Sequence, residues 1–247
     1  MKREILNTYE ANYAALPFED ILRQYRQQNI FKMLASLPHK NMLEIGCGPD
    51  PLFQHFKGFD TMTVVEPGKS YIENAMQLAG QNSNIKFIPD FFENIVDSLA
   101  PNTFDFIIIG GFLHEIQNPA EVLQAVKKVC TPDTIIHSFV PNAHSFHRLL
   151  AYEMGLIKDV YVKSGHDELF QRFCIYNMDS FKALFIQNGF EVADAGSYFI
   201  KPFTHAQMSE LLQINFFNES FMDGLDKIIK YFPANGAELF INGILSL

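Results

Sequence analysis

The feature that most constrains the fold of this chain is a short apolar run that ends in a glycine-rich turn. Met42, Leu43 and Ile45 suit a buried parallel strand, and Gly46 and Gly48 follow directly. Glycines at this place let the backbone turn sharply and approach a ligand without an intervening Cβ. The pattern predicts a nucleotide-type site at the end of a strand, although two glycines need support from the rest of the chain.

Strand and helix patterns alternate after this turn. Apolar, β-rich runs predict further strands at 62–65, 85–88, 104–109 and 134–140. Helical periodicity predicts helices at 69–79 and 119–129. Strands separated by helices in this way form βαβ units and a parallel sheet, whose ligand lies at the carboxyl ends of the strands.

The two ends of the chain depart from this rhythm. Residues 1–40 are predicted to form an N-terminal helical flank, in which Tyr9 and Tyr13 either pack in the core or belong to a substrate-binding lid. One α/β domain is predicted over 41–247, with helical insertions at about 141–176 and 203–233. Within this domain, the later patterns predict a helix at 179–188 and strands at 190–200 and 238–244.

Composition argues against several classes of partner. With a formal charge of −9, the chain lacks the basic surface that general binding to nucleic acid or anionic lipid requires. We expect neither a secretory leader nor a membrane span. Cys47, Cys130 and Cys174 are too scattered for a zinc site. The expectation is a reduced, cytoplasmic protein with no metal, no nucleic-acid partner and no stable membrane association.

Acidic residues and glycines mark the ends of the next three strands. Glu66 ends the second strand about 20 residues after the first glycine, where a carboxylate can accept the hydroxyl protons of a ribose. Asp90 and Phe91 follow the third strand, and a carboxylate beside an aromatic ring can hold an adenine. Gly110 and Gly111 close the fourth strand and again allow a ligand to lie close.

Dinucleotides and ATP fit this pattern less well. The fingerprint G-x-G-x-x-G needs a third glycine, and Pro51 occupies that position here. A Walker lysine is absent from the turn as well. The glycine turn therefore favours another adenine-containing cofactor.

Residues 43–48, Leu-Glu-Ile-Gly-Cys-Gly, resemble the first motif of class I S-adenosylmethionine-dependent methyltransferases. Later segments resemble the following motifs of that family in order, at 65–67, around Asp90, at 104–108 and at 112–116. The resemblance implies an α/β fold with a doubly wound, Rossmann-like sheet of seven strands in the order 3-2-1-4-5-7-6, the last strand antiparallel. It also implies S-adenosylmethionine as cofactor and S-adenosylhomocysteine as product.

The resemblance assigns cofactor contacts too. It implies that the methionine end of the cofactor lies at the glycine turn, the ribose on Glu66, and the adenine near Asp90. The full set of cofactor-binding candidates is Glu44, Gly46, Cys47, Gly48, Glu66, Pro67, Asp90, Phe91, Gly110, Gly111 and His114. The Asn/Asp-Pro-Pro-aromatic motif of enzymes that methylate nucleobase amines is absent after the fourth strand, which disfavours nucleobases as acceptors.

Three histidines are candidate catalytic residues. His114 follows the fourth strand, where it either removes a proton from the acceptor or packs against the cofactor. His144 and His147 follow the fifth strand, together with Arg148. The Arg148 guanidinium either binds a carboxylate or phosphate of the acceptor or forms a structural salt bridge.

Further substrate-binding candidates lie in the insertions. Asn142 either contacts the acceptor or caps the helix after it. Residues 141–148 are similar to segments of ubiquinone-biosynthesis and sugar methyltransferases, but the run around Arg172 lacks the Gly-His pair and the second basic residue of those enzymes. Lys201 and His205 either close the acceptor pocket or form a strand exit and a helix start.

These features predict methyl transfer by in-line displacement to a small molecule, favouring a hydroxyl of a sugar, phosphorylated metabolite or glycan precursor. The alternatives are O-methylation of a quinone or isoprenoid ring, N-methylation of a small molecule and, outside enzymes, a non-catalytic subunit that binds S-adenosylmethionine. A homodimer is left open.

Overall fold

Seven strands form one sheet in the computed structural model of the chain, which describes residues 17–101, 103–163, 165 and 172–246. The strands are β1 (Asn41–Ile45), β2 (Thr61–Val65), β3 (Ile85–Ile88), β4 (Phe106–Ile109), β5 (Ile135–Pro141), β6 (Phe190–Tyr198) and β7 (Glu238–Leu245). Their order across the sheet is β3-β2-β1-β4-β5-β7-β6. Pairs among β1 to β5 are parallel, and β7 is antiparallel to both of its neighbours, which confirms the predicted topology.

Helices lie between the strands. In the described part of the chain they are α1 (Pro17–Leu34), α2 (Lys69–Ala79), α3 (Phe92–Ile95), α4 (Pro119–Lys127), α5 (Phe146–Glu153), α6 (Met178–Gln187), α7 (His205–Gln213) and α8 (Glu219–Lys227). Short 3-10 helices lie at Leu52–Gln54, Val96–Ser98 and Ile228–Tyr231. None of these helices is long and apolar enough to cross a bilayer.

Both insertions contain helices. Within the described residues, the stretch after β5 holds α5 and then turns as far as residue 163, and the stretch after β6 divides into α7 and α8. Local signals set the helix ends, since Thr204 and Gln207 form a capping box at the start of α7. Gly189, at φ +84°, follows α6 in the left-handed conformation that glycine favours. The boundaries proposed for the flank and the insertions stay predictions, and Tyr9 and Tyr13 lie outside the described residues.

Strand β4 shows how the sequence produces a sheet covered on both faces. Its four residues are all buried, and successive side chains point to opposite faces. Ile107 and Ile109 pack in a core with residues of α4, whereas Phe106 and Ile108 pack in a second core with residues of α1 and α2. A continuous apolar strand is therefore stable here because helices cover both sides of it.

A third apolar cluster joins α1 to the second insertion. Phe18 and Leu22 of α1 are buried with Met208 of α7, Met222 of α8 and Phe199. Helix α1 thus lies between the sheet and α7, and one of its faces is available to line a site at the edge of the sheet.

The strand register brings the carboxyl ends of six strands, β1 to β6, together at that edge. Ile45 of β1 pairs with Ile109 of β4, so the carboxyl ends of these strands are level. Strand β7 runs the other way and begins at the same edge, where Glu238 pairs with Pro141 of β5 and Tyr198 of β6. The segments that follow β1, β4, β5 and β6 therefore lie at the same edge of the sheet as the start of β7.

Candidate active site

A cavity of about 850 Å³ lies at this edge of the sheet. Its volume falls in the range of about 300–1,000 Å³ that is typical of small-molecule sites. The residues that line it come from the ends of β1, β4 and β5, from α1 and α5, and from the segment between β6 and α7. The cavity therefore has one side on β1 and β4 and another side on β5, β6 and β7.

The glycine turn after β1 packs directly against the end of β4. Gly46 and Gly48 adopt φ angles of +76° and +58°, which glycine reaches without strain. A Cβ on Gly110 would lie 2.1 Å from the carbonyl oxygen of Gly46. The two glycine segments are thus in backbone contact, and this contact keeps the turn open to a ligand on the cavity side.

Two buried carboxyl groups accept hydrogen bonds from the backbone of the glycine turn and the residues around it. Glu66 accepts hydrogen bonds from the backbone N–H groups of Gly48 at 3.1 Å and Gly68 at 2.7 Å. Glu44 accepts from the N–H of Leu52, with both carboxyl oxygens within 3.2 Å. Burial, helped by the Glu66 charge and opposed by the Leu52 N–H, raises the pKa of Glu44 to about 8.

The structure brings most of the predicted cofactor-binding residues to the cavity. Those that line it are Glu44, Gly46, Cys47, Gly48, Gly110, Gly111 and His114. Glu66, Pro67, Asp90 and Phe91 are not among the lining residues. Asp90 is half-buried, and its carboxylate accepts hydrogen bonds from the Phe91 N–H and the Asn94 side chain. The predicted cofactor contacts of Glu66, Pro67, Asp90 and Phe91 therefore stay predictions. Tyr71 of α2 also lines the cavity, and the sequence patterns did not single it out.

The three candidate histidines occupy different places. His114 is buried in the cavity wall, with its Nε2 atom 3.4 Å from Glu115. His147 lines the cavity from α5. His144 is not among the lining residues, and its Nε2 atom lies 3.2 Å from the hydroxyl of Tyr161. The geometry therefore favours His114 and His147 over His144 as groups that reach a substrate.

Asn142 and Arg148 line the cavity, but their side chains also bind the backbone. The Asn142 amide donates to the carbonyls of Ala234 and Gly236. Asn142 does not cap α5, because the N-cap position belongs to Ser145. Arg148 donates to the carbonyl of Val160 at 2.7 and 3.0 Å. Both side chains thus fix loops of the cavity wall, and their contact with an acceptor stays a prediction.

Charged groups cluster on the side of the cavity opposite the glycine turn. Arg26 of α1 forms an ion pair with Glu238 at the start of β7 and lies 3.9 Å from Glu19. The Lys201 Nζ atom lies 2.8 Å from Nδ1 of His205, and the His205 Nε2 atom lies 3.2 Å from Glu19. The predicted pair of Lys201 and His205 is therefore part of a larger buried network.

Burial and neighbouring charges set the protonation of this network. Burial alone would raise the pKa of Glu19, but the His205 hydrogen bond and the charges of Arg26 and Arg172 hold it below its usual value. Burial lowers the pKa of Lys201 to about 7, although Glu19 opposes this shift. Burial and the Lys201 charge lower the pKa of His205. Glu19 is thus ionised at neutral pH, and His205 is neutral.

Sequence patterns missed three members of this network. Glu19 and Arg26 lie seven residues apart in α1 and so share one helix face, but charged residues on a helix usually face solvent. Glu238 precedes an apolar strand and has no local partner in the sequence. One sequence signal could have revealed Glu19 and Arg26. They share a helix face with the apolar Leu22 and Ile30, both of which are buried.

Comparisons with known proteins were consistent with this geometry. The model of the methyltransferase-domain family matches residues 19–195. A polyketide synthase-nonribosomal peptide synthetase of Aspergillus clavatus is 30% identical over 103 residues, which are 38% of this chain and 2% of that protein. A thiol S-methyltransferase of Rattus norvegicus is 28% identical over 98 residues, which are 38% of this chain and 40% of that protein.

A solved structure extends the similarity in fold to nearly the whole chain. It is a SAM-dependent methyltransferase of Thermotoga maritima, described as a possible histamine N-methyltransferase, with 15% sequence identity and a TM-score of 0.64. The alignment covers 97% of this chain and 99% of that one. At this identity the likeness shows the fold alone, whereas the family model covers well over half of the sequence. The chain therefore belongs to the methyltransferase-domain family, which confirms the resemblance of its motifs to class I S-adenosylmethionine-dependent methyltransferases.

Proposed function

We propose that this enzyme transfers a methyl group from S-adenosylmethionine to a hydroxyl group of a small, anionic acceptor, such as a phosphorylated sugar. The acceptor oxygen forms a bond to the methyl carbon as the carbon–sulfur bond breaks. The electron pair of that bond stays on sulfur and gives S-adenosylhomocysteine, and the hydroxyl proton passes to a base.

The observation that carries the proposal is the division of the cavity into two chemically different sides. The glycine turn and the buried carboxyl groups lie on the side of β1 and β4, where the family motifs place the cofactor. On the other side the described lining residues include the guanidinium groups of Arg26, Arg148 and Arg172, beside the carboxylates Glu19 and Glu238. In a chain with a formal charge of −9, three guanidinium groups at one cavity wall suit an acceptor that carries negative charge.

The size of the cavity supports a small acceptor. A volume of about 850 Å³ must hold both the cofactor and the acceptor, and helices α1, α5 and α7 border it. A polymer would need an open groove instead. A thiol acceptor is the second candidate, and the local identity with a thiol S-methyltransferase favours it.

Two measurements test the proposal in sequence. Isothermal titration with S-adenosylmethionine and S-adenosylhomocysteine, with NADH as the control, should show binding of the first two in the micromolar range and no binding of NADH. The variant Gly46→Arg should lose this binding, because its side chain would occupy the turn. Binding of NADH alone, or of none of the three, would contradict the assignment.

The second measurement identifies the acceptor. Transfer of the labelled methyl group from methyl-tritiated S-adenosylmethionine is followed with sugar phosphates, the matched free sugars, small thiols, small amines and a short-chain quinol. We expect turnover with sugar phosphates and at least tenfold lower kcat/KM for the matched free sugars, since a phosphate bound by an arginine contributes about 1.5–3 kcal/mol. Turnover of thiols alone would replace the hydroxyl acceptor by the second candidate. Cofactor binding without turnover of any compound would favour a non-catalytic subunit.

A further inference from the structure

Lys201 is placed as a reactive amine rather than as an ordinary surface lysine. It follows β6, lines the cavity and is only 4% exposed. Its Nζ atom lies 2.8 Å from Nδ1 of His205. The ionised Glu19 carboxylate can only accept from the other ring nitrogen, Nε2, so in the neutral imidazole Nε2 carries the proton and Nδ1 accepts from the Lys201 amine.

Further contacts fix the imidazole ring of His205. The Nε2–H group of His205 donates to the carboxylate of Glu19, 3.2 Å away. Glu19 is itself held by Arg26, which is packed with its guanidinium 4.4 Å from the ring centre of Phe139. Lys201, His205 and Glu19 therefore form a line of buried groups that starts at the cavity.

The charges that face Lys201 come from several elements. Glu19 and Arg26 approach from α1, Arg148 from α5, and Glu238 from the start of β7. Arg172 and His205 complete the set. Among these described groups, Glu19 and Glu238 favour the ammonium, whereas Arg148 and Arg172 disfavour it, so burial decides the balance and lowers the pKa of Lys201 to about 7. A neutral amine is therefore readily available near neutral pH.

We propose that Lys201 is the general base that removes the proton from the acceptor during methyl transfer, and that His205 and Glu19 hold its amine in position. This role rests on the methyl transfer proposed above. A neutral amine keeps one N–H on Nδ1 of His205, which leaves its lone pair for the acceptor O–H. As the acceptor oxygen bonds to the methyl carbon and the carbon–sulfur electron pair moves to sulfur, the Lys201 lone pair takes the proton and becomes an ammonium group.

Glu19 and His205 then stabilise that ammonium. The His205 Nδ1 atom accepts from it, and the carboxylate beyond the imidazole offsets the new charge. The proton later returns to solvent when the products leave. Glu19 is therefore a positioning residue, and its removal should change the protonation of Lys201 as well as the rate.

The first test needs no acceptor. Protein labelled with ¹³C and ¹⁵N in lysine is titrated by NMR, and the Lys201 signal is identified as the one lost in Lys201→Arg. We expect its midpoint near pH 7, well below the value of about 10.4 of a lysine in a model peptide. Glu19→Gln should lower the Lys201 midpoint, because it removes a negative charge that favours the ammonium. A Lys201 signal that titrates with the exposed lysines would overturn the proposal.

The second test is the pH profile of kcat with the acceptor found in the screen. Wild-type kcat should fall as the pH is lowered through about 7, since the ammonium form cannot accept a proton. Lys201→Met and Lys201→Arg should lower kcat at pH 8 by about 10²–10⁴-fold, the usual contribution of a positioned base, and should lose this pH dependence. Arginine keeps the positive charge but does not deprotonate. Lys86→Met is the matched control and should behave as wild type.

Calorimetric binding of S-adenosylmethionine separates the two proposals. Both Lys201 variants should bind the cofactor as wild type does, because Lys201 lies on the far side of the cavity from the glycine turn. Failure of the wild-type protein to bind it would refute the proposed function, whatever the NMR midpoint. If both variants bind S-adenosylmethionine normally and keep the wild-type pH profile of kcat, the role of Lys201 is refuted and the proposed function is not.

Discussion

The backbone N–H of Gly48 donates a hydrogen bond to the carboxylate of Glu66 across 3.1 Å. This contact joins the glycine turn after β1 to the end of β2. Glu66 also accepts from Gly68, so one side chain joins the glycine turn to the start of α2. The ribose contact that the family motifs imply for Glu66 stays a prediction.

Glu66→Ala should weaken S-adenosylmethionine binding by about 10–100-fold, because each hydrogen bond to a charged group contributes about 1.5–3 kcal/mol. Isothermal titration at pH 7.5 measures the change. Glu73→Ala is the matched control, since Glu73 is an exposed carboxylate on α2 that pairs with the exposed Lys69 at 3.8 Å. An affinity of Glu66→Ala within twofold of wild type would contradict the cofactor role of Glu66.

Gly110→Ala should destabilise the protein and abolish cofactor binding. The new Cβ would lie 2.1 Å from the carbonyl oxygen of Gly46, and overpacking of this kind costs about 1–3 kcal/mol or more. Urea unfolding measures the loss. Gly224→Ala, in α8, should instead gain about 0.5–1 kcal/mol, because no atom lies within 4 Å of the added methyl group. Equal effects of the two substitutions would refute the close contact between the two glycine segments.

The ionisation of Glu44 should make stability depend on pH. Its pKa is about 8 in the folded protein, above the value of about 4.3 in an unfolded chain, so the folded state holds a proton that the unfolded state has released. The contribution of this group to the free energy of unfolding is therefore full below about pH 4 and is lost as the pH rises to about 8.

Glu44→Gln removes this dependence. Relative to wild type, the ligand-free variant should gain several degrees in Tm at pH 8.5 and little or nothing at pH 5, as differential scanning calorimetry would measure. Glu93→Gln, at an exposed position in α3, should show no such difference between the two pH values. The same Tm gain for Glu44→Gln at both pH values would argue against the raised pKa.

Arg26→Met should destabilise the protein by about 3–5 kcal/mol, because it leaves Glu19 and Glu238 without their guanidinium partner in a buried site. Adding Glu238→Gln should recover part of this loss, although the same change in wild type should be destabilising. Lys128→Met, which loses the exposed pair with Asp97 at 2.8 Å, should cost about 1 kcal/mol or less. Additive effects of the Arg26 and Glu238 substitutions would exclude the pairing.

The parts of the fold that were predictable from sequence are those in which local pattern and burial agree. Strand β4 is apolar at every position because both of its faces are covered, and the predicted helix at 69–79 matches α2 residue for residue. The glycine turn was also predictable, since positive φ angles at Gly46 and Gly48 require that residue type.

The charged half of the site was only partly predictable. Lys201 and His205 are four residues apart and were paired from sequence, but Glu19 reaches them from the other end of the chain. Such contacts depend on how α1 docks onto the sheet, which no local pattern encodes. Asn142 shows the same limit, because the sequence offered an acceptor contact or a helix cap, whereas its amide binds the carbonyls of the distant Ala234 and Gly236.

The position of β7 between β5 and β6 has a consequence for biosynthesis. Glu238 opens β7, the last strand of the sheet in chain order, yet it contacts Arg26, which leaves a ribosome 212 residues earlier. The half of the site built from β1, β2 and β4 uses residues that are adjacent early in the chain. A nascent chain can therefore assemble the glycine turn before it can assemble the pocket that holds the acceptor, and the complete enzyme exists only after β7 has inserted.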